Sequence, residues 1–289
     1  MAPFFTSEKI PLITSISNTA NIDVFCVGQK ISCFARMSSG VGLSKYVPKT
    51  VVLTSAFFDE VYGQLLKRDI KAIVKKLDST SKQSLQSSLR RVRSVLSKVK
   101  FSEEYISLLY QTLDGYLDSL DVPFTLTSAC SFKHANNDIE HPHTITHGIL
   151  SKEQLVKEIK KSFVDFFSKE AYMFREKNGL DHFGCEFSIS IRQEFVSSQS
   201  VQGVAYSYDP ATHFKDVITV RSGYGLFIDQ AADNDVFVVS KESLEKGGSC
   251  VIAKDHGDKK YASVLDVRGK IIQKKVSTAR KSVFSVKDE

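Results

Sequence analysis

The sequence predicts an α+β fold built around an antiparallel sheet, and three observations carry that expectation. Between residues 185 and 195 the odd positions Cys185, Phe187, Ile189, Ile191 and Phe195 are apolar, with Gln193 the exception, while Glu186, Ser188, Ser190, Arg192 and Glu194 alternate with them. A period of two marks a half-buried strand. Three more β-rich runs follow at 201–208, 216–221 and 235–240. The loop after Asp209-Pro210 and the Gly223-Tyr224-Gly225 turn separate them, so the stretch 185–241 reads as one antiparallel sheet. Upstream the period changes: Leu85, Leu89, Val92, Leu96 and Val99 recur at three- and four-residue steps and line one helical face.

Taken in order, residues 1–20 read as an arm or short strand, because Pro3 and Pro11 prevent a long helix. Residues 22–27 form a short β-like run ending in Gly28-Gln29-Lys30, and 31–39 have room for one or two helical turns. After Pro48, residues 50–53 read as a strand, and Thr54 or Ser55 can cap a helix through Phe57, Phe58, Val61 and Leu65. Ser102 with Glu103 and Glu104 opens a helix through Leu109, Leu113, Tyr116 and Leu120, its first-turn carboxylates complementing the helix dipole. Residues 124–130 are a strand. Residues 133–148 lose periodicity and collect His134, His141, His143 and His147, which predicts a long polar loop. Ser151 and Gln154 match a capping box before a helix that carries Leu155, Ile159, Phe163, Phe166 and Phe167 to about Lys177, where Asn178-Gly179 stops it. Residues 249–253 and 261–266 are two further short strands, and the last twenty residues form neither helix nor strand.

A chain of 289 residues has the length of two lobes, which we divide as 1–122, with the basic helical segment, and 123–289, with the sheet. An apolar fraction of 42% against 25% charged excludes a disordered or fibrous class. The start lacks a basic leader and no apolar run reaches the roughly 20 residues of a membrane helix; the expectation is a soluble, cytoplasmic protein without a membrane partner. The five cysteines contain no C-x-x-C and read as buried free thiols. Residues 61–100 carry eleven Lys or Arg against Asp69 and Asp78, a net +9 in a chain of net +6. These cations lie opposite a core stripe with few interleaved aromatics, so a solvated face is favoured over an RNA site. The histidine cluster lacks the helix that an i, i+4 metal pair needs, and no nucleophilic triad is signalled, so no metal ligand and no catalytic residue is assigned. Gly28-Gln29-Lys30 and Gly223-Tyr224-Gly225 could each bring backbone amides to a phosphate, with Lys30 as a point charge.

Jointly and in order, these segments resemble the N-terminal nucleotide-binding domain of the phosphoenolpyruvate synthase and pyruvate phosphate dikinase family. Val27-Gly28-Gln29-Lys30 is similar to V-G-G-K, and Val47-Pro48 with Val51, Thr54 and Phe57 to V-P-x-G-F-x-x-T-x-x-A-F. Residues 124–131 resemble F-A-V-R-S-S-A-T; Phe166-Phe167, Ala171 and Phe174-Arg175 resemble S-L-F-x-x-R-A-x-x-Y-R; Gln193, Phe195 and Val196 resemble V-Q-x-M-V. Gly203-Val204 to Asp209-Pro210 resembles S-G-V-x-F-T-x-D-P, Gly225-Leu226 resembles G-L-G-E, and Asp235, Phe237 and Lys241 resemble P-D-x-F-x-V-x-K.

The resemblance implies an ATP-grasp-like, two-lobed nucleotide-binding domain with ATP and Mg²⁺ as cofactors. Lys30 would lie near the phosphates, residues 193–196 near the adenine, and Gln193, Val196, Asp209 and Gly225 would belong to the cofactor site. It also implies separate phosphohistidine or pyruvate-binding domains as partners. This chain departs from the pattern: the arginine of V-R-S-S-A falls at Thr127, the following acidic pair near Lys133 and His134, and the glutamate of G-L-G-E near Ile228. The family's glycine-containing flap is replaced by the histidine loop, and its last metal-binding segment falls past Glu289. A hydroxyl cannot take over a guanidinium's role at a transferring phosphate. The expectation is therefore an ATP-binding module with impaired phosphotransfer, unable to complete the pyruvate-phosphorylating reaction alone. A non-catalytic pseudoenzyme used for protein interaction and, less favoured, an RNA-binding protein using the 61–100 helices are the alternatives.

Overall fold

The computed structural model describes residues 10–19, 22–40, 42–75, 82–117, 122–132, 144–194, 200–226 and 234–276. The chain forms two compact units, 1–194 and 195–289. The boundary expected at 122/123 falls inside the first unit, because the strand that follows it is paired along its whole length with a strand ending at residue 193.

In chain order the first unit contains β1 (Ile13–Ser15), α1 (Val24–Val27), α2 (Gln29–Ser39), β2 (Thr50–Leu53), α3 (Ser55–Leu65), a π-turn (Leu66–Ile70), α4 (Lys71–Lys75), α5 (Lys82–Ser97), α6 (Glu103–Tyr116), β3 (Phe124–Phe132), β4 (Ile145–Ile149), α7 (Lys152–Asp165), α8 (Lys169–Lys177) and β5 (Cys185–Gln193). The five strands form one antiparallel sheet of order β1-β2-β5-β3-β4. The 185–241 stretch is therefore not a single sheet: β5 is the middle strand of the first unit, and only the later strands belong to the second. Its alternation was genuine but marked two covered faces of unequal polarity.

On one face Val51, Leu53, Phe124, Leu126, Phe187, Ile189 and Ile191 meet the helices in a single core. Burying one such side chain contributes about 1.5–3 kcal/mol. Leu85, Leu89, Val92 and Leu96 of α5 all point into this core, as their spacing predicts. At its centre Tyr62 stacks on Phe163 at 4.1 Å, and Phe58 meets Phe187 edge-on at 4.8 Å. The opposite face carries a smaller cluster of Val27, Ile31 and Val52 beneath α1 and α2.

Local signals decide the helix ends. The Ser102 hydroxyl accepts from the Tyr105 amide at 3.3 Å, and Ser151 accepts from Gln154 at 3.1 Å. Gln154 reaches back to the Leu150 amide instead of to Ser151 itself. Thr54 does not cap α3 with its side chain; its hydroxyl donates to Pro11 O at 2.6 Å and ties the chain before β1 to the end of β2. The helix expected from Ser151 to Lys177 breaks at 166–168, where Ser168 accepts from the Ala171 amide and starts α8 anew. Within 22–27, expected as β-like, Val24–Val27 form α1 instead, and Val27 packs against the sheet rather than within it. The histidine loop ends earlier than expected: 145–149 is β4. His134, His141 and His143 lie outside the described residues, as does Leu120.

The second unit has β6 (Val201–Tyr206), β7 (Val217–Tyr224), β8 (Asp235–Ser240), α9 (Lys241–Glu245), β9 (Val251–Asp255), β10 (Tyr261–Leu265) and β11 (Ile271–Lys275). The first four strands form an antiparallel meander in sequence order, and β10–β11 is a separate hairpin. The hairpin corrects the expectation that the last twenty residues lack regular structure, since β11 pairs with β10 over five residues. Of the cysteines, Cys26 is buried but Cys33 is exposed. Among the described residues no helix is long and apolar enough to cross a membrane.

The largest fully buried side chain of the first unit is a charged one. Arg175 of α8 donates to Phe166 O at 2.9 Å and to His182 Nδ1 at 3.1 Å, with its guanidinium 4.0 Å from the Phe166 ring centre. His182 stacks flat on Tyr172 at 4.0 Å and faces Glu176 through Nε2. Burial depresses the His182 pKa, the neighbouring Arg175 charge adds to that, and Glu176 opposes both. The folded state therefore binds fewer protons at this site than the unfolded chain, whose histidine titrates near 6.5. Its contribution to stability is complete above that pH and declines as the pH falls through 6.5 toward the depressed folded value. Urea unfolding measured from pH 7.5 to 5 is expected to show this decline, and His182→Gln, which keeps an acceptor for Arg175, is expected to flatten it. An equal slope in both proteins would assign the decline to other groups.

Candidate functional site

The second face of the first unit's sheet is polar, and strand register places its residues. Thr127 lies opposite Ser190, which lies opposite Val52; Thr125 lies opposite Arg192, which lies opposite Thr50. One register step in the other direction, Ala129 opposes Ser188. Here helix α2 begins. Gly28 precedes it with φ +85°, and a Cβ at this position would come within 2.8 Å of the Ala129 Cβ. Ser188 donates to Val27 O at 2.9 Å. Only glycine allows both the positive φ and this approach, and the result brings the start of α2 down onto β3 and β5. Lys30 follows in the first turn and is exposed.

The predicted residues separate on this framework. Gln193 does not share the polar face; it pairs with Phe124 on the core side and is 5% exposed. Val196 lies outside the described residues, as do Ile228 and the rest of 277–289.

Arg192 and Glu194 on the polar face were passed over in reading the sequence, where they counted only as the hydrophilic half of an alternation. Arg192 is half-buried beside Thr125 and sits diagonal to Thr127, about 7 Å away in such a ladder. Glu194 accepts from the Thr125 hydroxyl, and His147 Nδ1 lies 2.6 Å from the same carboxylate oxygen. Both side chains of this His–Glu pair are less than a tenth exposed. His147 arrives there through a bulge. Phe124 pairs with Ile149 but Leu126 with Thr146, so β4 carries one extra residue, and Gly148 takes φ +69°. The bulge returns Ile149 to the core while His147 stays on the polar face. The signal was present in Thr144-Ile145-Thr146-His147-Gly148-Ile149, a β-branched run with a glycine, but four histidines nearby made it read as loop.

In the second unit the remaining predicted residues have local structural partners. The Asp209 carboxylate accepts from the Ala211 amide at 3.0 Å and from the Thr212 hydroxyl at 2.7 Å, and these bonds lower its pKa. Gly225 has φ +86°, donates its amide to Ser200 O at 2.8 Å and bridges to Ser263; a Cβ there would come within 2.2 Å of Ser263 O. The P-D-x-F-x-V-x-K positions behave likewise: Asp235 is fully buried against the Lys259 ammonium, Phe237 is in the interior, and Lys241 donates to two carbonyls. Among the described residues no three His, Cys, Asp or Glu gather as a metal site.

Residues 24–289 match the family model described as "Pyruvate phosphate dikinase, AMP/ATP-binding domain". Similar proteins include phosphoenolpyruvate synthases from Aquifex aeolicus, 25% identical over 77% of this chain and 27% of that protein, and from Helicobacter pylori, 24% identical over 93% and 35%. Another from Synechocystis sp. is 30% identical over 45% of this chain and 16% of that protein. The chain thus spans about a third or less of the length of these curated relatives.

Two substitutions test the geometry. Gly225→Ala combines positive-φ strain with a collision against main chain, and is expected to destabilise the protein by about 2–4 kcal/mol, read as a fall in the denaturant midpoint. His147→Ala is expected to cost about 1.5–3 kcal/mol through the lost bond to a buried carboxylate. Combined with Glu194→Gln it should cost less than the two single changes summed. Strict additivity in that double-mutant cycle would mean that the pair is not coupled.

Proposed function

The chain belongs to the pyruvate phosphate dikinase AMP/ATP-binding domain family, and from that premise we propose that it binds ATP on the polar sheet face where α2 begins. The carrying observation is the Gly28 junction, which sets the first turn of a helix and the exposed Lys30 over β3 and β5. Main-chain amides at a helix start together with an ammonium suit a polyphosphate, and Arg192 adds a guanidinium to the same face. The group that fits these donors is an anion. Lys30 and the first-turn amides would hold phosphate oxygens, and the main chain of 193–196 would meet the base. Asp209 and Gly225 remain in this reading as family positions, in addition to their local roles. We read the fold as ATP-grasp-like and the protein as cytoplasmic.

Bound ATP would supply a transferable phosphoryl group. The residues of this chain are poorly equipped to move it. Thr127 replaces the clamping guanidinium, and Arg192 on the next strand is the cation nearest to that role by register. Among the described residues no three His, Cys, Asp or Glu gather where Mg²⁺ could be held. Transfer is impaired in this reading, and completing it would require phosphohistidine and pyruvate-binding domains supplied from elsewhere. Thr127 also favours the second reading, a pseudoenzyme that keeps the fold for interaction. On α5 one of the cations that an RNA reading would use, Arg93, is paired with Asp165 at 2.6 Å.

ATP at a hundredfold excess over its Kd is expected to stabilise the full chain by about 2.7 kcal/mol, measured as a thermal shift with and without Mg²⁺. Lys30→Ala and Arg192→Ala should each reduce that shift. Its absence from the unmodified protein would overturn the nucleotide reading and leave the interaction reading standing.

A further inference from the structure

The turn that follows β6 borders an open surface pocket of about 350 Å³ lined by Ser207, Tyr208, His213, Lys215 and Lys241, most of them exposed. That is the lower range of small-ligand pockets. Three features give it a chemical character. Its charge is one-sided: two ammonium groups and an imidazole line it, and no carboxylate does. Asp209, Asp216 and Glu242 each adjoin a lining residue in sequence; Asp209 is engaged by the Ala211 amide and the Thr212 hydroxyl and closes the turn, and Glu242 pairs with Lys246.

The second feature is that one cation is oriented in advance. Lys241 Nζ donates to Ser207 O at 2.7 Å and also to Lys215 O. An ammonium has three donors, so one remains for a ligand, and the side chain's freedom is already spent. The third is an aromatic wall. The Tyr208 and His213 rings lie parallel within 8° at a centroid separation of 6.0 Å, and Tyr206 buttresses Tyr208 edge-on at 6.1 Å. His213 has φ +59°, a region that a residue with a Cβ enters at a cost. Such strain persists where the surroundings over-determine it, and it concentrates at ligand sites. The same turn is closed by the His213 amide on Asp209 O at 2.7 Å and the Asp209 amide on Phe214 O at 2.8 Å.

We propose that this pocket binds a phosphomonoester carried on a planar ring, with the dianion between Lys215 and Lys241 and the ring against Tyr208 and His213. Two ammonium charges match a dianion, and the flat wall distinguishes an aromatic ester from free phosphate. The pocket lies wholly in the second unit and goes beyond the ATP reading, which rests on Lys30 in the first.

The test uses the full chain with phenyl phosphate and inorganic phosphate, read by ligand-observed NMR and thermal shift. Saturable binding of phenyl phosphate is expected, with inorganic phosphate at least tenfold weaker. His213→Gly relieves the backbone strain, so its thermal midpoint should equal or exceed that of the parent while phenyl phosphate affinity falls about tenfold or more. Lys215→Ala should lose affinity similarly, and Lys30→Ala should lose none. The proposal is overturned if phenyl phosphate shows no saturable binding up to about 10 mM, if inorganic phosphate binds as well, or if both pocket variants bind like the parent. Because Lys30→Ala reports on the ATP reading alone, either idea can fail without the other.

Discussion

The first unit depends on one constraint, the pairing of β5 between β2 and β3. Nine consecutive positions of β5 are in register with β3, and four also with β2. A strand held on both edges cannot slip by one residue without exchanging its faces. Ile189 and Ile191 therefore stay with the aromatic core, while Ser188, Ser190 and Arg192 are committed to the other side. The core fills one face with helices, and the polar face is left to α1 and α2. The position of Lys30, the identity of the half-buried arginine and the exclusion of the Gln193 amide from the polar face all follow from this register.

Several residues that match family motifs also have a structural reason to be what they are. Gly28 and Gly225 occupy positive φ and press against a neighbouring strand; Asp235 neutralises a buried lysine; Asp209 closes a turn. These demands hold whether or not a phosphoryl group is ever transferred. Folding alone is enough to retain such residues. Arg192 and the His147–Glu194 pair stand apart from these: they lie on the polar sheet face, where Glu194 also accepts from the Thr125 hydroxyl.

Legibility varied with the kind of signal. The α5 stripe, the Ser102 and Ser151 caps and the alternation of β5 were readable because each is a local periodicity or a local hydrogen bond. The break at 166–168 was not, since the apolar spacing of Phe163, Phe166 and Phe167 continues through it and only a serine marks the restart. The 22–27 segment was misread because a four-residue apolar run has no period of its own. For the candidate site, Lys30 and Gly28 were visible as a motif, while Arg192 was hidden as one polar residue among five.

By itself the sequence determined the α+β class, the family, the core-facing side of the main helices and the glycines that cannot be replaced, because these are written in spacing and in residues of unusual conformational range. The tertiary structure alone decided which sheet β5 joins, where the first unit ends, that His147 is buried against Glu194, and which residues share a face with Arg192. Those outcomes depend on strand register between segments as much as 140 residues apart, roughly the separation of β2 from β5. No local pattern carries that information; it resides in which pairing lets every apolar position reach a core at once.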